Sequence, residues 1–135
     1  MNRRAMIGGA AGVLSAGFLG SSPASGADEK SGDACGDGCM DCLTTCLACA
    51  TACLDETGRK ECIKLCLDCA DICDACAKIS ARKGPLAPAM MALCAEACDK
   101  CAAECEKHKD DKVCKGCAER CRAWAKKCRD ATKAK

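Results

Sequence analysis

Thiols set the chemistry that this chain can do. Nineteen of its 135 residues are cysteine, arranged in four ladders stepped almost entirely by three or four residues. The first is Cys35, Cys39, Cys42, Cys46, Cys49 and Cys53, and the second is Cys62, Cys66, Cys69, Cys73 and Cys76. The third is Cys94, Cys98, Cys101 and Cys105, and the fourth is Cys114, Cys117, Cys121 and Cys128. Thiolate is a soft ligand and suits soft Cu(I) better than oxygen or water does. Cysteines at i and i+3 or i+4 share one helical face, so two sulfurs can reach the same ion. Cu(I) is content with two or three sulfurs, and one thiolate can bridge two ions. A continuous ladder therefore suits a row of Cu(I) ions better than separate four-ligand sites. Charge balance agrees. One Cu⁺ per thiolate leaves a neutral core, whereas each Zn(Cys)₄ unit buries two negative charges at considerable cost. Zinc stays open as the poorer match.

Other uses of so many thiols are weighed on spacing. A cysteine-rich exported chain of this length commonly carries a disulfide framework. An odd count cannot pair fully within one chain, and seam neighbours on one rigid helix are badly placed to bond each other. Disulfides between helices remain open. The ferredoxin-type run ending in Cys-Pro is absent, which speaks against iron–sulfur clusters. A thioredoxin-like Cys-x-x-Cys belongs at a helix N-terminus, whereas these motifs recur through helix interiors. No acid, base or nucleophile arrangement of an enzyme is present.

Alternating steps of three and four repeat every seven residues, the seam by which an α-helix faces a partner. The ladders thus predict four helices. The first runs from about Ala34 to Glu56, ended by a left-handed cap at Thr57-Gly58. The second continues to about Arg82, where Lys83-Gly84-Pro85 breaks it. Pro88 suits the first turn of the third, which reaches about Lys107. Asp110 is the expected N-cap of the fourth, which extends to about Thr132. Connections of a few residues make consecutive helices antiparallel neighbours. The fold expected is all-α, an antiparallel up-down-up-down four-helix bundle with a cysteine-lined core. Thiols are small, so Leu43, Leu47, Ile63, Leu65, Leu67, Ile72 and Leu93 are expected to supply the remaining apolar burial.

Three other residues continue the seams. The step pattern extends from Cys94 back to Met91 and from Cys105 on to His108, and Trp124 stands between Cys121 and Cys128. Antiparallel order puts His108 at the end holding Cys53, Cys62, Cys105 and Cys114. Met91 and Trp124 fall at the opposite end, near Cys39 and Cys76. His108 is either a metal ligand at the mouth of the bundle or a partner for the helix C-terminus. Met91 reads as core filler. Trp124 reads as a plug closing its end, its indole N–H reaching solvent or a carbonyl.

Residues 1–27 read as an export signal. Arg3-Arg4 precede an apolar run from Ala5 to Gly20, and small residues end it at Ser25-Gly26-Ala27, the layout of a cleaved secretory signal. The paired arginines resemble a twin-arginine signal, implying the periplasm. The run falls short of the roughly 20 residues a spanning helix needs, so no membrane association is expected after cleavage. Residues 28–33 are polar and read as a flexible lead-in to the bundle, residues 34–135. Removing residues 1–27 takes away two arginines and no acids, leaving 19 bases against 19 acids. No basic block with interleaved aromatics points to nucleic acid. The interspersed charges read as solvated helix faces rather than a site.

With these features the chain resembles the bacterial copper storage proteins, four-helix bundles lined with cysteines that bind many Cu(I) ions. The resemblance rests on Cys-x-x-x-Cys and Cys-x-x-Cys steps on all four helices. Leu86-Ala87-Pro88-Ala89 ahead of Cys94, and the pair Cys114 and Cys117, add to it. It implies multiple Cu(I) ions per chain, a homo-oligomer of bundles, and His or Met near the open mouth, which favours His108. It also implies exchange with proteins that donate or accept copper. Exported members carry a His/Met-rich stretch around the first interhelical turn, where this chain has Asp55-Glu56-Thr57-Gly58. The function expected is storage or sequestration of Cu(I), not catalysis. The alternative is a disulfide-stabilised or zinc-binding structural or redox-buffering protein.

Overall fold

The computed structural model describes residues 34–133, with side chains from Gly36 onward. The signal at 1–27, the lead-in at 28–33 and the Cys35 side chain lie outside the described residues. Four helices follow one another: α1 (Ala34–Cys53), α2 (Lys60–Ala81), α3 (Ala87–Glu106) and α4 (Lys112–Lys133). Each packs beside its neighbours in sequence, and α4 closes the ring against α1. This is the four-helix bundle that the ladders require. Among the described residues no helix is long and apolar enough to cross a membrane.

The connections depart from expectation at the end of α1 and at the cap of α4, and hydrogen bonding accounts for both. Helix α1 stops at Cys53 rather than Glu56 because its end tightens into i→i−3 bonds. Leu54 N–H donates to Thr51 O at 3.2 Å, and Glu56 N–H to Cys53 O at 3.1 Å. Such bonds satisfy carbonyls that a helix end leaves open. Gly58 does take the left-handed conformation, with φ of 74°, but within the turn. After α2 the left-handed residue is Lys83, φ 51°, not Gly84. There Gly84 N–H donates to Ile79 O and Lys83 N–H to Ser80 O, both at 3.0 Å, a Schellman ending. The cap of α4 is Asp111 rather than Asp110. Asp111 Oδ1 accepts from Val113 N–H at 2.8 Å and Cys114 N–H at 3.4 Å, the amides an N-cap serves.

The core is thiol. All eighteen described cysteines are fully buried. Beside them lie seven buried alanines, Ala50, Ala70, Ala77, Ala95, Ala102, Ala118 and Ala125, together with Trp124. Leu43, Ile63, Leu65 and Ile72 pack partly against this core. Leu47, Leu67 and Leu93, expected to join it, are more than 40 % exposed. Alanine at flanking positions lets the helix backbones approach until sulfurs meet in the middle, and the bulkier leucines remain outside. Outer faces are tied by ion pairs between helices. Arg122 reaches Asp99 and Glu106 at 3.0 Å each, and Arg120 reaches Asp41 at 2.6 Å. These pairs are exposed and add little individually.

Candidate metal centre

Each ladder turns its described sulfurs to the axis, and sulfurs of different helices meet there at 3.6–4.0 Å. Cys42 Sγ lies 3.7 Å from both Cys98 Sγ and Cys121 Sγ. Cys66 Sγ lies 3.6 Å from Cys101 Sγ, and Cys62 Sγ 3.6 Å from Cys105 Sγ. Diagonal helices therefore touch through sulfur: α1 meets α3 at Cys46–Cys101 and Cys49–Cys105, 4.0 and 3.9 Å. A metal–sulfur bond of ~2.3 Å separates two sulfurs on one ion by roughly 3.8 Å at tetrahedral angles. The spacing suits shared ions without repacking. No disulfide joins any of the eighteen described cysteines.

Groups of four sulfurs, mutually within 4.8 Å, follow one another along the axis. Cys42, Cys69, Cys73 and Cys98 form one, and Cys42, Cys46, Cys69 and Cys121 the next. Cys46, Cys101, Cys117 and Cys121 follow, then Cys49, Cys66, Cys105 and Cys117, then Cys49, Cys53, Cys62 and Cys114. Each group shares at least one sulfur with the next. At the Trp124 end the Cys94 thiol faces Cys128, Cys39, Cys73 and Cys76.

No charged side chain is buried among the described residues. Apart from Arg59 against Cys53 and Cys114 at one end, a fully ionised core would need its positive charge from bound metal, and monovalent ions at about one per sulfur would neutralise it. Hydrogen bonds between neighbouring thiols push Cys42 and Cys105 down, whereas at the His108 end burial favours the protonated thiol. Burial, then the neighbouring Cys105, pushes Cys62 upward. Burial and Cys53 push the Cys114 thiol up to about 11.

The two ends differ. His108 lies beyond Cys105 at the α3–α4 turn, one-fifth exposed, with Nε2 buried and lacking a hydrogen-bond partner. Its nearest acid oxygen, Glu104 Oε2, is 3.7 Å away, too far for a hydrogen bond. At the opposite end Trp124 is buried against Gly38, where an added Cβ would overlap the indole ring. Its Nε1 has no hydrogen-bond partner, contrary to the expected link to solvent or a carbonyl. The ring lies flush on Gly38 and its N–H is enclosed. Met91 and Met90 pack partly against the core.

Sequence reading missed Arg59 and Asp111. Arg59 Nη1 lies 3.3 Å from Cys53 Sγ, 3.4 Å from Cys114 Sγ and 3.2 Å from Asp111 Oδ2. These contacts raise the Arg59 pKa, through Cys53 first. The Asp111 carboxyl is held below its ordinary value, first by the Val113 amide and then by Arg59. Asp111 falls among the interspersed charges that read as solvated helix faces. The signal for Arg59 and Asp111 was positional: antiparallel order sets the α1–α2 turn beside the start of α4.

The copper storage protein family (Csp) matches residues 28–133. Among solved structures, Cu(I)-bound copper storage protein BsCsp3 is 39% identical with a TM-score of 0.68, covering 72% of this chain and 93% of its own. The apo Csp3 from Bacillus subtilis is also 39% identical, with a TM-score of 0.70 and coverages of 73% and 96%. The copper storage protein Ccsp from Streptomyces lividans, loaded with 10 copper equivalents, is 33% identical with a TM-score of 0.71, covering 82% and 91%. No match was found among curated protein sequences. With a thiol-filled four-helix bundle and a family match spanning all its described residues, this chain belongs to the copper storage protein family.

Proposed function

We propose that this protein stores Cu(I), many ions to a chain, on the thiolates that fill its bundle. The observation that carries this reading is the row of four-sulfur groups joined by shared sulfurs. Bridging thiolates let neighbouring ions share ligands, and a monovalent ion keeps the interior neutral. The similar BsCsp3 and Ccsp structures are described as Cu(I)-bound and copper-loaded. The ligand set proposed is the nineteen cysteines of the four ladders, Cys35 included by its place in the first. His108 joins them at the mouth on the strength of its unpartnered Nε2. The role is non-catalytic, with copper arriving from and leaving to proteins that carry it.

Export fits the N-terminal features. The family match begins at residue 28, directly after the expected cleavage point, which supports reading residues 1–27 as a removable address to the periplasm. One similar structure is of a cytosolic copper storage protein from Streptomyces lividans, 35% identical, so location is read from the signal alone. Cell fractionation of the Arg3→Lys, Arg4→Lys variant tests it. Loss of periplasmic protein is expected, and unaltered distribution overturns the twin-arginine route.

Anaerobic titration of the reduced protein with Cu(I) tests the function. Bridging sulfurs bring the sulfur-to-copper ratio towards unity, giving on the order of 10 to 20 ions per chain. A plateau at about four divalent ions, with no comparable Cu(I) uptake, would indicate separate zinc sites and end the storage reading.

A further inference from the structure

The end of the bundle that carries His108 is not open: a single guanidinium lies over its outermost sulfurs. Cys53 Sγ and Cys114 Sγ are 3.7 Å apart, and Arg59 Nη1 sits over both, at 3.3 and 3.4 Å. Asp111 Oδ2 holds the same nitrogen from the side at 3.2 Å. Asp111 is itself fixed, because its other oxygen caps the first turn of α4. The Arg59 side chain is only 14% exposed, little for a residue that belongs to no ladder. Its one nitrogen links the α1–α2 turn, the last sulfur of α1 and the first sulfur of α4. Charge-assisted hydrogen bonds of this kind are stronger than neutral ones.

We propose that Arg59, held by Asp111, is a latch over the mouth of the thiol core, displaced before Cu(I) reaches Cys53 and Cys114. The proposal rests on the storage reading and adds to it a residue that sets the rate of loading and release. During transfer Cu⁺ passes from its donor's ligands to the Cys53 and Cys114 sulfurs, whose protons go to solvent. Arg59 gives up its hydrogen bonds and forms no bond to the metal. Its contribution is kinetic, so the total number of ions bound is unaffected by removing it.

Two variants separate the latch from a merely structural residue. Arg59→Ala removes it. Asp111→Asn keeps a side-chain oxygen for the α4 cap but removes the carboxylate that anchors the guanidinium. Stopped-flow transfer of Cu(I) from a chromophoric chelator should accelerate by about tenfold in Arg59→Ala, the scale of losing a charge-assisted hydrogen bond. Asp111→Asn should accelerate it less, and both variants should keep the wild-type capacity. Alkylation of the metal-free protein, followed residue by residue by mass spectrometry, should quicken similarly at Cys53 and Cys114 but not at Cys73 and Cys94. Unchanged transfer and alkylation in Arg59→Ala overturn the latch. Equal acceleration at all four cysteines also overturns it, because that reports general loosening. Should the wild-type protein take up no Cu(I) while the local alkylation difference holds, the storage reading fails and Arg59 still covers these sulfurs.

Discussion

The indole of Trp124 occupies the space that a Cβ on Gly38 would need. A glycine in α1 and the one aromatic residue of the bundle thus close the end opposite His108 as a fitted pair. Glycine normally weakens a helix by about 1 kcal/mol relative to alanine, so Gly38→Ala would ordinarily be stabilising. Here the rigid ring must move, and a net loss of ~1–3 kcal/mol is expected from overpacking. Trp124→Ala should cost about 3 kcal/mol. In the Trp124→Ala background the sign of Gly38→Ala should reverse. A denaturant-melt double-mutant cycle checks this, and additive losses would show that the two residues do not share the site.

His108 and Trp124 predict which end passes copper. His108→Ala should change the rate of Cu(I) transfer to a chromophoric chelator while barely lowering capacity, since the cysteine ligands survive. Trp124→Ala should have its main effect on stability. Unchanged kinetics in His108→Ala, with much faster release in Trp124→Ala, would put the mouth at the indole end.

The metal-free, reduced protein should lose stability as pH rises above about 9. Burial raises the folded-state pKa of Cys114 from its ordinary 9.0 to about 11, and that of Cys62 moves the same way. Between those limits the unfolded chain has released protons that the folded chain retains. The unfolding free energy therefore falls with pH across this window, having been fully present below it. Melting temperatures recorded under reducing, chelating conditions from pH 7 to about 11 check the sign. A rise over that range would contradict protonated Cys62 and Cys114 in the folded chain.

Cu(I) loading should raise the melting temperature of the reduced protein, because an ion held by sulfurs of several helices binds the folded chain and not the unfolded one. Differential scanning calorimetry of the two reduced samples decides it. Coincident transitions would mean that the metal does not cross-link the bundle.

Lys83→Gly should stabilise the bundle by up to ~1 kcal/mol, since Lys83 ends α2 with φ of 51°, where a Cβ is disfavoured. Its side chain is exposed, so little packing is lost. An unchanged or lower melting midpoint would show that the turn does not carry that strain.

The sequence by itself determined the four helices, their antiparallel order and the seam that each presents. Helical period is a local property, and Cys-x-x-x-Cys and Cys-x-x-Cys steps state it without reference to any neighbour. The same steps marked the residues that face inward, and chain order alone put His108 and Trp124 at opposite ends of the bundle. Tertiary structure decided what the period leaves open. Cys42 meets Cys98 and Cys121 because backbone approach depends on the alanines beside the thiols, which also leave Leu47, Leu67 and Leu93 outside. Adjacent Asp110 and Asp111 are equivalent as caps until one of them has Arg59 across the mouth. Arg59 itself has the sequence signature of an ordinary turn residue. Its meeting with Cys53 and Cys114 depends on how the α1–α2 turn folds back over the bundle end, a distance set between helices and not along any one of them.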